Sequence, residues 1–337
     1  MDRAVRFERV LVTGGAGYVG HVLIPALLND GYEITLYDTL YFGSALEPHP
    51  NLTVIQADIR DAARFAEAVQ GIDAVIHLAC ISNDASFELD EKLSTTINFE
   101  TFETLVTASK AAGVKRFIYA STSSVYGVSD VPDITEEHPL VPLTLYNKFK
   151  GMCEPVLFQH QSDDFVCTVI RPATVCGYSP RCRLDVSVNI LTNHAVNRSE
   201  ITVFGGAQKR PNLHIKDMVD AYRVFLDAPD EKVAGEIFNC GYQNLTIMEI
   251  TEMVKRVVEH EFPEKTPIGI KVKSTNDNRS YHINSDKITR VLGFLPQHKI
   301  EDAVRDLCTA FREGRLPDSL DDERYFNVKK LKSMQVT

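Results

Sequence analysis

No stretch of the 337-residue chain approaches the ~20 consecutive apolar residues of a membrane span. The opening Met1-Asp2-Arg3-Ala4-Val5-Arg6 offers no apolar signal core, so a cytoplasmic protein is expected. The cysteines (Cys80, Cys153, Cys167, Cys176, Cys182, Cys240 and Cys308) are scattered, odd in number and never paired as C-x-x-C. They suggest neither a disulfide framework nor a zinc knuckle, and most are expected to be buried thiols. The histidines show no H-x-x-x-H spacing, so no metal site is expected. Cationic excess is missing too: the net charge is -10 and clusters such as Lys329-Lys330 are short. Neither nucleic acid nor a membrane surface is an expected partner. Internal repeats and low-complexity linkers are also absent.

What is present is ordinary for a folded protein, with 44% hydrophobic and 24% charged residues. Short Val- and Ile-rich runs at Arg9–Val12, Glu33–Tyr37, Thr53–Gln56, Ala74–Leu78, Phe117–Ala120 and Cys167–Ile170 read as buried strands. Amphipathic stretches such as His21–Asn29 and Phe99–Ala112 lie between them. This alternation predicts an α/β fold with a doubly wound parallel sheet, of Rossmann type. After about Arg171 the pattern loosens. Helices are expected at Val186–Ala195, Asp217–Asp227, Ile247–Glu259 and Ile300–Glu313, with a strand at Ile201–Phe204, forming a smaller C-terminal α/β lobe. The expected division is 1–175 for the nucleotide domain and 176–320 for the second lobe, some of whose segments return to the first. Residues 321–337 are charged and expected to trail as a tail.

Strand Val10-Leu11-Val12 runs into Thr13-Gly14-Gly15-Ala16-Gly17-Tyr18-Val19-Gly20 and then an apolar helix. Glycines in this context permit a tight turn and close approach of backbone to a pyrophosphate on the helix N-terminus. The second strand ends at Asp38, where a carboxylate accepts ribose hydroxyls and repels a 2′-phosphate. No arginine follows closely, so NAD is favoured over NADP. Asp58 offers a carboxylate near the expected adenine site, or an N-cap for a helix starting near Asp61.

Tyr146 and Lys150 stand four apart, on one face of a helix. A lysine charge beside a phenol favours the phenolate and makes a base. A row of hydroxyls, Ser121-Thr122-Ser123-Ser124, follows the strand Phe117–Ala120 and is placed to face the ligand crevice. Together with Thr13–Gly20, Asp38, Asp58-Ile59-Arg60 and His77-Leu78-Ala79-Cys80, this order of motifs resembles the extended short-chain dehydrogenase/reductase family, in particular its nucleotide-sugar epimerases and dehydratases. The likeness runs from about residue 9 to residue 310.

That resemblance implies Tyr146 as base, Lys150 holding the nicotinamide ribose and lowering the tyrosine pKa, and Thr122 bonding the reacting sugar oxygen. It implies NAD contacts from Gly14, Gly17, Tyr18, Val19, Gly20, Asp38, Asp58, Ile59, Leu78, Ala79 and Lys150. For the substrate, a nucleotide-diphosphate sugar, it implies Ser123, Ser124, Asn189, Arg210 (in Arg210-Pro211-Asn212-Leu213-His214) and Arg279. Each arginine also has a plain reading as a surface ion pair, and His214 as a packed strand histidine. Arg181 and Arg183 face an acidic sugar, a phosphate or solvent. A homodimer through helices near 92–112 and 144–161 is implied as well, with Met152, Val156, Leu157 and Phe158 as apolar contacts.

Positions 123 and 124 bear on the reaction. Sugar 4,6-dehydratases of this family carry Asp-Glu there, an acid and a base for elimination. Two serines cannot act as carboxyl groups. The expected reaction is therefore reversible hydride transfer at one carbon, an NAD-dependent 4-epimerisation through a 4-keto sugar. A 4-keto-sugar reductase or related oxidoreductase is the alternative, followed by a dehydratase or a non-catalytic nucleotide sensor.

Overall fold

The computed structural model describes residues 7–275 and 280–334. Strand β1 (Arg9–Thr13) alternates its side chains between two cores: Val10 and Val12 pack on one face of the sheet and Leu11 on the other. A strand buried on both faces must be apolar throughout, which is why the strand runs lack alternation. Helix α1 (Gly20–Asn29) leads to β2 (Glu33–Asp38) and β3 (Leu52–Gln56). Then follow α2 (Ala62–Ala68), β4 (Ala74–His77), α3 (Asp84–Phe87), α4 (Glu91–Thr95), a π-helical turn at Thr96–Glu100, α5 (Phe102–Ala111) and β5 (Arg116–Ala120). Helix α6 (Leu145–Phe158) carries the Tyr146 and Lys150 pair. Its first turn is capped by Thr144, whose hydroxyl accepts from the Asn147 amide.

Beyond β6 (Val166–Pro172) come β7 (Thr174–Cys176), α7 (Ser187–Arg198), β8 (Glu200–Phe204), β9 (Lys209–His214), α8 (Ile215–Asp227), α9 (Asp230–Val233) and β10 (Glu236–Cys240). The chain continues through β11 (Gln243–Thr246), α10 (Ile247–Glu261), β12 (Gly269–Lys273), α11 (Asp286–Leu292), α12 (Ile300–Arg312) and α13 (Asn327–Met334). Seven parallel strands form the main sheet in the order β10-β6-β5-β4-β1-β2-β3. The order reverses between β1 and β4, and ligands bind at the carboxyl ends of strands where such a reversal opens a crevice. Strand β10 belongs to this sheet although it comes late in the chain, paired with β6 from Glu236↔Thr168 to Cys240↔Pro172.

The second lobe has a three-stranded sheet (β11-β9-β7), a two-stranded sheet (β12-β8) and its own core of Val188, Val203, Ile250, Val254 and Val304. A further cluster joins the lobes, in which Tyr18 of the glycine loop packs with Cys182, Leu184, Leu307 and Tyr325. Arg116, fully buried, donates from Nη1 to the carbonyls of Phe225, Leu226 and Ala228 at the end of α8. Its cation meets the negative end of that helix and ties the sheet to it.

Of residues 321–337, expected to trail, the described ones are anchored to the body. Tyr325 and Asn327 are buried, and the Tyr325 carbonyl accepts from the Leu184 amide at 2.9 Å. Charge alone predicted a tail, but buried anchors between the charges hold it down. Among the described residues no helix is long and apolar enough to cross a membrane. Six of the cysteines are buried as free thiols and Cys80 is partly exposed.

Candidate active site

A cavity of about 1220 Å³ opens at the carboxyl ends of β1, β4 and β5, walled on its far side by the second lobe. Such a volume exceeds the usual small-ligand range and suits two ligands side by side. At one end lies the turn after β1. Gly14 has φ +67°, and a Cβ there would stand 2.6 Å from the Ala79 amide nitrogen. A Cβ on Gly20 would stand 2.0 Å from the Gly15 carbonyl oxygen. Neither position admits a side chain without moving backbone, so the loop keeps its approach to β4 only with glycine.

Asp38 is fixed at the end of β2 by two amides, Ala16 N–H to Oδ2 at 3.0 Å and Leu40 N–H to Oδ1 at 2.8 Å. Burial raises its pKa, and those two bonds together with His21 and Arg181 draw it back. Asp58 is clasped by Arg60, with Nη2 to Oδ2 at 2.7 Å. Burial alone would raise its pKa, but the Arg60 bonds outweigh that and hold it low. The N-cap of α2 is Asp61, which accepts from the Arg64 amide at 3.0 Å, so Asp58 does not have that role. All the residues expected at the cofactor, from Gly14 to Lys150 and including Ile59, Leu78 and Ala79, line this one cavity.

At the other end stand Thr122, Ser123, Ser124 and Tyr146. Thr122 caps a 3₁₀ turn over Ser123–Tyr126, and its Oγ1 lies 2.8 Å from Ser124 Oγ. Ser124 Oγ donates to Asn147 Oδ1 at 2.7 Å. The hydroxyl row is thereby tied to the residue next to Tyr146. Lys150 is buried, donates from Nζ to the Ala120 carbonyl at 2.7 Å, and lies over the Tyr119 ring at 5.0 Å.

Burial raises the Tyr146 pKa above the usual phenol value, Cys80 acts in the same direction, and the charge of Arg183 opposes them. The Lys150 ammonium is bonded at the end of β5, and Arg183 comes from the second lobe. Arg183 is held by Asp185, Nε to Oδ1 at 2.8 Å. The Asn83 backbone N–H also acts to lower the Tyr146 pKa. Asn83 has φ 72° and ψ 159°, a region that a non-glycine residue occupies only at a cost of about 1–3 kcal/mol. Its side chain offsets part of that by capping α3, accepting from the Ser86 amide at 2.9 Å.

Asn189, expected on a substrate phosphate, does not line the cavity. Its side chain is spent on the loop before it: Oδ1 accepts from Gly177 N–H at 3.0 Å, and Nδ2 donates to the Arg183 carbonyl at 2.8 Å. Arg210 does line the cavity, stacked on Tyr281 at 5.1 Å. Arg279 lies outside the described residues. His214, read as a packed strand histidine, is buried and stacks on His298 at 4.7 Å.

Sequence reasoning missed several supporting residues. Asn98, in the π-turn, pins Ile81 through both of that residue's backbone groups, at 2.8 and 2.9 Å. Ser121 Oγ donates to Glu154 Oε1 at 2.6 Å, and Glu154 forms a buried pair with Arg171, Nε to Oε1 at 3.0 Å. Arg171 in turn donates to the Tyr126 hydroxyl at 2.7 Å. This network locks α6 to the ends of β5 and β6. Its one legible signal was Glu154, spaced four from Lys150 and so on the same helix face.

Comparison with known proteins agrees with this geometry. Residues 10–241 match the model of the NAD dependent epimerase/dehydratase family. The chain belongs to that family. Among its curated relatives, a UDP-glucose 4-epimerase of Lactobacillus helveticus is 27% identical, covering 90% of this chain and 96% of the relative. A UDP-arabinose 4-epimerase of Arabidopsis thaliana is 28% identical, covering 91% of this chain and 79% of the relative. Among solved structures, the dTDP-glucose 4,6-dehydratase DesIV of Streptomyces venezuelae superposes with a TM-score of 0.80 at 25% identity, covering 91% of this chain and 98% of that one.

Membership of the family identifies the cofactor as NAD. The residues fit it: a glycine cradle closed to any Cβ, an anchored carboxylate at the end of β2, and a cavity long enough to continue to Tyr146. Gly14, Gly17, Asp38 and Lys150 are the groups that would hold it.

Proposed function

We propose that this protein is an NAD-dependent epimerase of a nucleotide-diphosphate sugar, acting at carbon 4 through a transient 4-keto sugar. When bound, NAD supplies the acceptor and donor of hydride. Tyr146, as phenolate, takes the proton of the reacting hydroxyl and later returns it. Thr122 bonds the reacting oxygen, and Lys150 holds the nicotinamide ribose. Arg183 and the Asn83 amide favour the phenolate that burial disfavours. Arg210, which lines the cavity from the second lobe, meets the diphosphate.

The observation that carries the reaction type is the pair Ser123 and Ser124 beside Thr122. Hydroxyls stand where an elimination needs carboxyl groups, while Asp84 accepts from Thr144 at 2.7 Å and Asp185 from Arg183. The 4-epimerase names of the relatives support the same reading. Incubation with a panel of nucleotide sugars, followed by NMR, is expected to yield an equilibrium pair of C4 epimers without net reduced nicotinamide. Stoichiometric change in the nicotinamide would favour the reductase, and a 4-keto-6-deoxy product the dehydratase.

We further propose a cytoplasmic homodimer through α6 and the helices over 92–112. Leu145 and Met152 of α6 are exposed at 36% and 38%, which supports such a face. Leu157, expected to contribute, is fully buried in the core and cannot. A monomeric mass by light scattering would contradict the dimer.

A further inference from the structure

The loop between β7 and α7 folds back over the glycine turn. Tyr18 Oη donates to the Gly177 carbonyl at 2.6 Å, Ser179 Oγ donates to the Tyr18 carbonyl at 2.8 Å, and Asn189 Nδ2 donates to Tyr18 Oη at 3.1 Å. Two residues beyond Ser179 comes Arg181. It is 8% exposed yet lines the cavity. Its guanidinium lies over the Phe42 ring at 3.8 Å and donates from Nη2 to Asn327 Oδ1 at 2.6 Å. Nε and Nη1 are buried and meet no acceptor among the described residues.

Native interiors rarely leave two charged donors unmatched, so the pair points to a ligand. Its location says which. The Arg181 charge acts on both Asp38 and His21, one at the end of β2 and the other in the first turn of α1. The guanidinium therefore covers the cavity end where the α1 N-terminus presents its own donors to an anion. Nε and Nη1 lie on different edges of the guanidinium, so each would donate to its own oxygen of a diphosphate. Burial, together with neighbouring Arg183, lowers the Arg181 pKa to about 10, a penalty that an anionic partner would offset.

We propose that Arg181 Nε and Nη1 donate to the diphosphate of the bound dinucleotide, so that the second lobe completes the cofactor site. This rests on the reading of the cavity as the NAD site. Asn327 holds the guanidinium by its remaining nitrogen: its Oδ1 accepts from Arg181 Nη2, its Nδ2 donates to Ser82 Oγ at 2.8 Å, and its N–H donates to Asp185 Oδ2 at 2.9 Å. The C-terminal segment thereby acts on the cofactor through a positioning residue. The same Asp185 holds Arg183, so the two arginines, one toward the diphosphate and one toward Tyr146, share a mount.

The test is calorimetric titration of the full chain, freed of nucleotide, with ADP-ribose, adenosine, NADH and NADPH. Arg181→Met is expected to weaken ADP-ribose by about 10-fold to 100-fold, the range for hydrogen bonds to a charged group, and adenosine by less than about twofold. Equal losses for both ligands would mean a structural role only and overturn the proposal, as would undiminished ADP-ribose binding. A loss confined to NADPH would move the contact to a 2′-phosphate and overturn it too. Should Arg181→Met fail to fold, Arg181→Lys serves: charge without the two separate donor edges predicts an intermediate loss for ADP-ribose alone, and no loss overturns the proposal. If the unaltered chain binds neither ADP-ribose nor NADH, the NAD reading falls first and takes this proposal with it.

Discussion

The two ends of the cavity are built differently. The nucleotide end is made by backbone: glycines that admit no Cβ, amides fixing Asp38, and a helix N-terminus. The chemical end is made by side chains from separate parts of the chain, with Tyr146 on α6, Thr122 after β5 and Arg183 from the second lobe. A backbone site is set by local sequence and tolerates little change. A side-chain site is set by how loops pack, so its electrostatics can be adjusted residue by residue.

The sharpest break between the two ends comes from Tyr146→Phe. It removes the proposed base without touching the nucleotide end, so turnover should fall by about 10²–10⁴ while NAD affinity stays within about twofold of the unaltered chain. Steady-state rates and nucleotide titration on one preparation check both. Full activity in this variant would remove Tyr146 from the mechanism.

A smaller effect follows from Arg183→Met. Arg183 lowers the Tyr146 pKa against burial, so its loss leaves the phenol harder to ionise. The rising limb of kcat/KM against pH should move to higher pH by about one unit or more, within the range for loss of a nearby opposite charge. An unmoved limb would show that Arg183 does not tune the base.

The smallest expected effect lies behind the nucleotide end. His77 bonds Thr13, Nδ1 to Oγ1 at 2.8 Å, and burial, with the Lys150 charge adding to it, lowers its pKa to about 3. Between that value and the ordinary histidine value near 6.5, the unfolded chain binds a proton that the folded chain does not. Stability should therefore fall as pH drops through this window. In His77→Gln the slope of unfolding free energy against pH should be shallower by up to one proton. Denaturant melts at several pH values check this, and an unchanged slope would mean that His77 titrates alike in both states.

The same contrast explains what could be read from the sequence. Strands β1, β2, β4, β5 and β6 were legible because burial on both faces demands continuous apolar runs, and the glycine spacing marked the turn that follows. Strand β9 was not, since Lys209, Arg210 and Pro211 disguise it, and β12 is largely exposed and alternates with lysines. The candidate pair Tyr146 and Lys150 was picked out by its helical spacing. Arg183 as the charge acting on Tyr146, Asn98 as a loop pin and Asn327 as an anchor were not, because each acts across a long sequence separation. Asn189 was misread for a different reason: the loop just before it curls back and takes up its side-chain amide.

The central claim is that oxidation at carbon 4 is followed by return to that same carbon. It is tested most directly with a nucleotide sugar carrying deuterium at carbon 4, identified by the substrate panel. The account predicts a C4 epimer that retains deuterium at carbon 4, with the nicotinamide pool unchanged. Deuterium found at carbon 6 of a dehydrated product, or lost from the sugar altogether, would contradict it.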